Sequence, residues 1–181
     1  MKKQVLLTLI AITTALSFHS CDKIKEALLQ AFTADGATFT FSVLPVNTTD
    51  TMLSIGVETI YFDLDSTVKA VTNSAFSLND VSSVNPNEIS LKILNPDSAN
   101  NFANFQSGSL SFYSNNNTIP YDFNYVNANQ YVDSINIPLD TTVNLKSYMM
   151  GNTFNYTLKG KLRKPITTTL NVRATVKFKV H

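Results

Sequence analysis

The chain has 181 residues and a formal net charge of +1, with 14 Lys and Arg against 13 Asp and Glu. That length suffices for one domain with a true core, and the near-balance excludes the strong global field that draws a protein to nucleic acid. Gly and Pro number only 5 and 6 while Phe and Tyr number 12 and 7, a β-rich composition rather than a disordered one.

Lys2 and Lys3 precede an apolar run from Val5 to Leu16. The run is shorter than the roughly 20 residues of a membrane span, and small residues follow it, which is the layout of a secretory signal. Residues 1–20 are therefore expected to be removed on export. Cys21 is the single cysteine. In an exported protein it has no partner for an internal disulfide, so it is a free thiol or a modified one. In its setting, LSFHSCDKIKE, with Ser20 just before it, the N-terminus resembles that of a bacterial lipoprotein. The resemblance implies that Cys21 is the lipidation site and the first mature residue, anchored in the cell envelope at the outer membrane. Phe18 and His19 stand where that pattern has Leu and a small residue. Ala15-Leu16-Ser17 offers the rival of ordinary cleavage after Ser17.

Residues 21–35 form the expected lipid-anchored tether. Within it Ile24, Leu28, Leu29 and Phe32 recur at helical spacing, which predicts a short helix packed on the domain. A helix lying on the membrane is the alternative, through Lys23 and Lys25. From Gly36 the period changes to two, with Phe39, Phe41 and Val43 alternating with Thr38, Thr40 and Ser42. A second strand spans Met52 to Leu64, after which Asp65 or Ser66 is placed to cap a short helix through Val71. Residues 78–84 read as a helical turn, and 88–94 return to alternation.

Residues 95–105 read as a polar loop, 107–113 as a strand, 115–118 as a turn, and 121–126 and 132–139 as extended pieces. Asp140 is placed to cap a helix over 142–150, with Gly151 closing it. The cleanest period-2 pattern comes last. Phe154, Tyr156, Leu158, Gly160 and Leu162 alternate with polar residues, and after Lys164-Pro165 a run from Ile166 to Val180 does the same. This predicts an antiparallel hairpin with one wet face. The fold class expected is all-β, an antiparallel β-sandwich of about eight strands with a few short helices, over residues 36–181.

The stretches DLDSTVKAV, LNDVSSVNPNEISLKIL and TFNYTLKGKLRKPITTTLNVRATVKFKV resemble small lipoproteins of Bacteroidetes-type bacteria. That resemblance implies an all-β, envelope-anchored protein and transfers no catalytic residue. It also links acidic residues just after the lipid cysteine, here Asp22 and Glu26, to display on the cell surface.

Chemistry has few places to reside. His19 falls within the expected signal and His181 is the last residue, where chain ends fray. No His-based triad or zinc site is credible on that basis. Asp63 and Asp65 on a strand would share a face, which suits a cation or a carboxylate pair. The plainer reading is a solvated face running into a helix cap. Tyr61, Tyr113, Tyr121, Tyr125 and Tyr131 are the aromatics expected outside, where they could stack on sugars.

Charge is unevenly distributed along the chain. Residues 27–145 hold eleven acids against Lys69 and Lys92, while residues 146–181 hold eight Lys or Arg and no acid. By alternation Lys159, Lys161, Arg163, Arg173, Lys177 and Lys179 line one outward face of the last hairpin. The plain reading is pairing with acids such as Asp63 and charged edges that prevent aggregation. The sharper reading is a contact surface for an anionic partner.

The function expected is a non-enzymatic, lipid-anchored structural or interaction module. Its partners are the membrane through its lipid, and an envelope protein or anionic glycan, but not nucleic acid; no cofactor or metal is expected. One alternative is a carrier of a small apolar ligand held near Phe102, Phe105, Met149 and Met150. The other is a carboxylate-based hydrolase.

Overall fold

A computed structural model describes residues 30–127 and 129–181. Cys21 and the first part of the expected tether lie outside the described residues. Eight strands follow in chain order: β1 (Phe32–Val43), β2 (Met52–Tyr61), β3 (Val84–Ile93), β4 (Phe105–Ser114), β5 (Tyr121–Val126), β6 (Ser134–Asn136), β7 (Thr153–Leu162) and β8 (Leu170–Val180). They form two antiparallel four-stranded sheets, ordered β1-β8-β3-β6 and β2-β7-β4-β5. Among the described residues two α-helices, α1 (Leu64–Val71) and α2 (Lys146–Met149), sit in the connections. This is the expected β-sandwich.

Alternation decides which side chains enter the core. Along β7 Phe154, Tyr156, Leu158, Gly160 and Leu162 are buried, and along β8 Leu170, Val172, Ala174, Val176, Phe178 and Val180 are buried. The two sheets share one apolar cluster. Phe39 of β1 meets Tyr156 of β7 across the interior, with ring centroids 4.6 Å apart. Phe112 of β4 stacks on Phe123 at 5.6 Å and on Tyr156 at 5.6 Å. Burying one such ring contributes up to about 3 kcal/mol.

The expected hairpin between the last two strands is not formed. β7 pairs with β2 and β4, and β8 pairs with β1 and β3. The segment between them crosses from one sheet to the other. Ile166 forms a bridge with Val46 on the way, and Thr168, read as inward, is exposed. A corner of buried polar groups holds this crossing. Asn104 donates from Nδ2 to the carbonyls of Ala99 at 2.9 Å and Pro165 at 2.7 Å. Asn100 Oδ1 accepts from the Thr167 amide at 2.8 Å. These partners satisfy backbone groups that the crossing removes from either ladder.

Other local expectations shift for identifiable reasons. Phe32 to Asp35, read as the end of a helix, open β1 by pairing with Lys177 to Val180; the backbone groups at the end of β8 supply a ladder that outweighs helical spacing. Asp63, not Asp65 or Ser66, caps α1, accepting from the Ser66 amide at 3.2 Å. Asp140 accepts from the Thr142 amide and hydroxyl at 2.9 and 2.6 Å, forming an Asx turn, and the helix starts only at Lys146. Gly151 has no positive φ. Its lack of a side chain instead admits Asn115 and Ser114, whose atoms occupy the space a Cβ would take. His181 is not frayed, since its backbone bonds Ser83 in both directions.

Candidate functional site

The six basic residues of the last two strands divide between opposite faces of the sandwich, because their strands belong to different sheets. The single basic surface expected from the hairpin does not form. Lys159 and Lys161 stand on the outer face of β7. Lys159 is ion-paired with Asp122 of β5 at 3.0 Å. Burial opposes ionisation of Asp122, but hydrogen bonds from Lys159, Ser111 and Ser109 outweigh it and hold the carboxyl below its usual value.

Arg163 lies just past β7 and turns its guanidinium onto backbone. It donates to the carbonyls of Ala103 at 3.1 Å, Phe105 at 3.4 Å and Asn127 at 3.3 Å. Arg163 therefore belongs to the corner that holds the crossing. A side chain so engaged is not offered to a partner.

Arg173, Lys177 and Lys179 stand on the outer face of β8, in the β1-β8-β3-β6 sheet. Lys177 lies in register between Asp35 of β1 and Glu88 of β3, and bonds Glu88 at 2.9 Å. The hydrogen bond that Lys177 donates to the Glu88 carboxylate raises the Lys177 ammonium above its ordinary value. Lys179 faces Thr33 and Asn85. Arg173 faces Thr40 on one side and Lys92 on the other. Lys92 stood in the acidic part of the chain, and only the strand register brings it beside Arg173.

Asp63 and Asp65, read as sharing a strand face, leave the strand. The Ser66 hydroxyl and amide hold the Asp63 carboxyl below its usual value. The Leu78 amide, at 2.7 Å, and the Lys69 ammonium, at 2.5 Å, do the same for Asp65. Both carboxylates border an open groove of about 320 Å³, together with Met149, Met150 and Gly151. A general acid needs a carboxyl pushed upward, and these two are held in the opposite sense. Among the described residues, no group of three His, Cys, Asp or Glu is placed to hold a metal.

The four residues offered as a carrier lining do not meet in one cavity. Phe102 and Phe105 are buried with ring centroids 5.6 Å apart, whereas Met149 and Met150 border the outer groove beside α1. A second groove, of about 510 Å³, lies at the start of β1 between Phe32, Val71 and Phe76. Of the tyrosines expected outside, Tyr61 and Tyr131 are exposed, Tyr113 and Tyr121 are half-buried, and Tyr125 is buried. The buried trio Asn100, Asn101 and Asn104 was hidden in sequence, because polar residues before an aromatic read as loop.

No helix among the described residues is long and apolar enough to cross a membrane. No protein-family model matches the chain, and no curated protein matches it. Solved structures with a similar course of chain include Desmodium yellow mottle tymovirus, at 10% identity and a TM-score of 0.31 over 83% of this chain and 86% of that one. Turnip yellow mosaic virus matches at 12% identity and a TM-score of 0.27, over 84% and 93%. Likeness at this level carries no argument about what the chain does.

Proposed function

We propose that this protein is a lipid-anchored binding module of the bacterial cell envelope, held at the outer membrane through Cys21 and non-enzymatic. One observation carries the binding part: the outer face of the β1-β8-β3-β6 sheet presents cations that its own acids do not neutralise. The paired groups elsewhere support it. Asp63, Asp65, Asp122 and Arg163 are each committed to a cap, a turn, an ion pair or a corner. The separation of Phe102 and Phe105 from Met149 and Met150 weighs against an internal carrier site.

The anchor rests on the apolar run, the lone cysteine and the resemblance to lipoproteins. An acyl chain contributes about 0.8 kcal/mol per buried CH₂, so two or three chains hold a protein to a bilayer effectively permanently. Labelled palmitate should enter the protein and be lost in Cys21→Ala, with the variant released from the membrane fraction. An unmodified mature N-terminus at Phe18, read by mass spectrometry, would overturn the anchor.

A further inference from the structure

We propose that the outer face of the β1-β8-β3-β6 sheet binds an acidic polysaccharide, with Lys92 and Arg173 as the pair that holds its carboxylate or sulfate groups. This names the partner of the binding module and rests on that reading.

The strand register places one continuous row across the sheet. Thr40 of β1 stands opposite Arg173 of β8, Arg173 opposite Lys92 of β3, and Lys92 opposite Ser134 of β6. All four are exposed. Directly opposed residues have Cβ atoms about 4.5–5.5 Å apart, where like charges destabilise the sheet. This is the only like-charge pair in the strand registers of the described residues. No carboxylate lies in its row.

The same sheet shows what a compensated row looks like. Asp35, Lys177 and Glu88 stand side by side, acid, base, acid, with the Lys177–Glu88 bond at 2.9 Å. Lys92 and Arg173 double the cation and omit both acids. Protection of a sheet edge does not account for them. Exposed charge on an edge strand prevents edge-to-edge pairing, but β8 and β3 are the two inner strands of the four. An anion shared between the two side chains removes their repulsion. The planar guanidinium takes a carboxylate or sulfate through two parallel N–H donors, and the ammonium adds a point charge beside it.

The surroundings favour a glycan over other anionic partners. The next row is Thr38, Thr175, Ser90 and Asn136, so hydroxyl and amide groups flank the cations. A bilayer surface is held by apolar side chains in the headgroup boundary together with cations, and these rows offer only the two cations. A protein partner is gripped mainly through aromatic anchors in pockets, which these rows also lack.

The chain from residue 22 carries all eight strands, since the first begins at Phe32. Calorimetry with that chain would measure binding to heparin and to polygalacturonate, with dextran and phosphatidylcholine–phosphatidylglycerol vesicles alongside. We expect salt-sensitive binding to an acidic polysaccharide and none to dextran. Lys92→Gln with Arg173→Gln should weaken it at least about tenfold, equivalent to about 1.4 kcal/mol, and Lys164→Gln should leave it unchanged. Lys92→Glu separates loss of site from loss of fold. It places a carboxylate opposite Arg173, so binding should vanish while the melting temperature rises. Binding to neither polysaccharide, undiminished binding in the double variant, or tighter binding to the anionic vesicles would each overturn the proposal. None of these measurements involves Cys21, so failure of the anchor and failure of this site are read separately.

Discussion

Tyr125 of β5 lays its ring across Gly108 of β4, the residue directly opposite it, so that a Cβ at 108 would lie 2.6 Å from the ring's Cζ. Gly108 is in turn opposite Gly160 of β7. The phenol fills the space over Gly108, while Ile55 and Phe105 pack over Gly160. The Tyr125 hydroxyl is buried and has no hydrogen-bond partner, and burial pushes its ionisation upward. An unsatisfied buried hydroxyl costs about 1–3 kcal/mol. Tyr125→Phe should therefore keep or raise stability, by up to about 1 kcal/mol once lost packing polarity is allowed for. Gly108→Ala should lower it by about 1–3 kcal/mol through overpacking. Urea unfolding of the two variants checks both signs, and a large loss in Tyr125→Phe would show that the hydroxyl has a partner after all.

The corner at Asn104 should be the most sensitive polar site of the sandwich. Besides its two Nδ2 bonds, Asn104 accepts from the Asn101 amide at 3.1 Å. Asn104→Ala strands the buried Asn101 amide, at a cost on the order of 1–3 kcal/mol, and removes the donor from the part-buried carbonyls of Ala99 and Pro165. A loss of about 2–4 kcal/mol is expected on that scale. Arg163→Gln, which gives up the carbonyl bonds from the other side of the same corner, should also destabilise. Since both residues hold one connection, the double variant should cost less than the sum of the singles. Additive losses in a double-mutant cycle would count against a shared corner.

Acid should weaken the fold through the cap of α1. The folded Asp63 carboxyl lies below its ordinary value because Ser66 hydrogen-bonds its charged form. An unfolded chain holds that proton more tightly, so the contribution is fully present above about pH 5, declines as pH falls through about 4, and is gone below the folded value. Asparagine is also a good cap. Asp63→Asn should thus change the melting temperature little at neutral pH while making its decline between about pH 5 and 2 shallower. A variant whose decline parallels the parent's would show that Asp63 contributes nothing to the acid limb. Asp65, Asp97, Asp122 and Asp140 are also held low and add to the same limb.

Where the alternation is unbroken it was enough to recognise strands and assign their inward faces, although it missed the start of β1 at Phe32 and misplaced Thr168. Phe154 to Leu162 and Leu170 to Val180 lie as their period-2 pattern required, because burying one face of a pleated strand needs an apolar residue at every second position. Turn chemistry was legible in the same local way, as at 115–118 ahead of β5. The address suggested by Cys21 is likewise a property of consecutive residues.

Partner choice was not legible. Both sheets bury their inner faces in one core, so Lys159 and Lys177 look alike in sequence although they end on opposite outer faces. Alternation says whether a residue points in or out, but it is silent about which strand lies beside it. That information came from contacts made far along the chain: the polar corner of Asn100, Asn104 and Arg163 that carries the chain across, and the register that sets Lys92 of β3 beside Arg173 of β8. Local periodicity therefore accounts for the strands and their apolar faces. The assembled core alone settled which charges are paired and which stand side by side unpaired, because electrostatic pairing depends on distance in space rather than on separation in sequence.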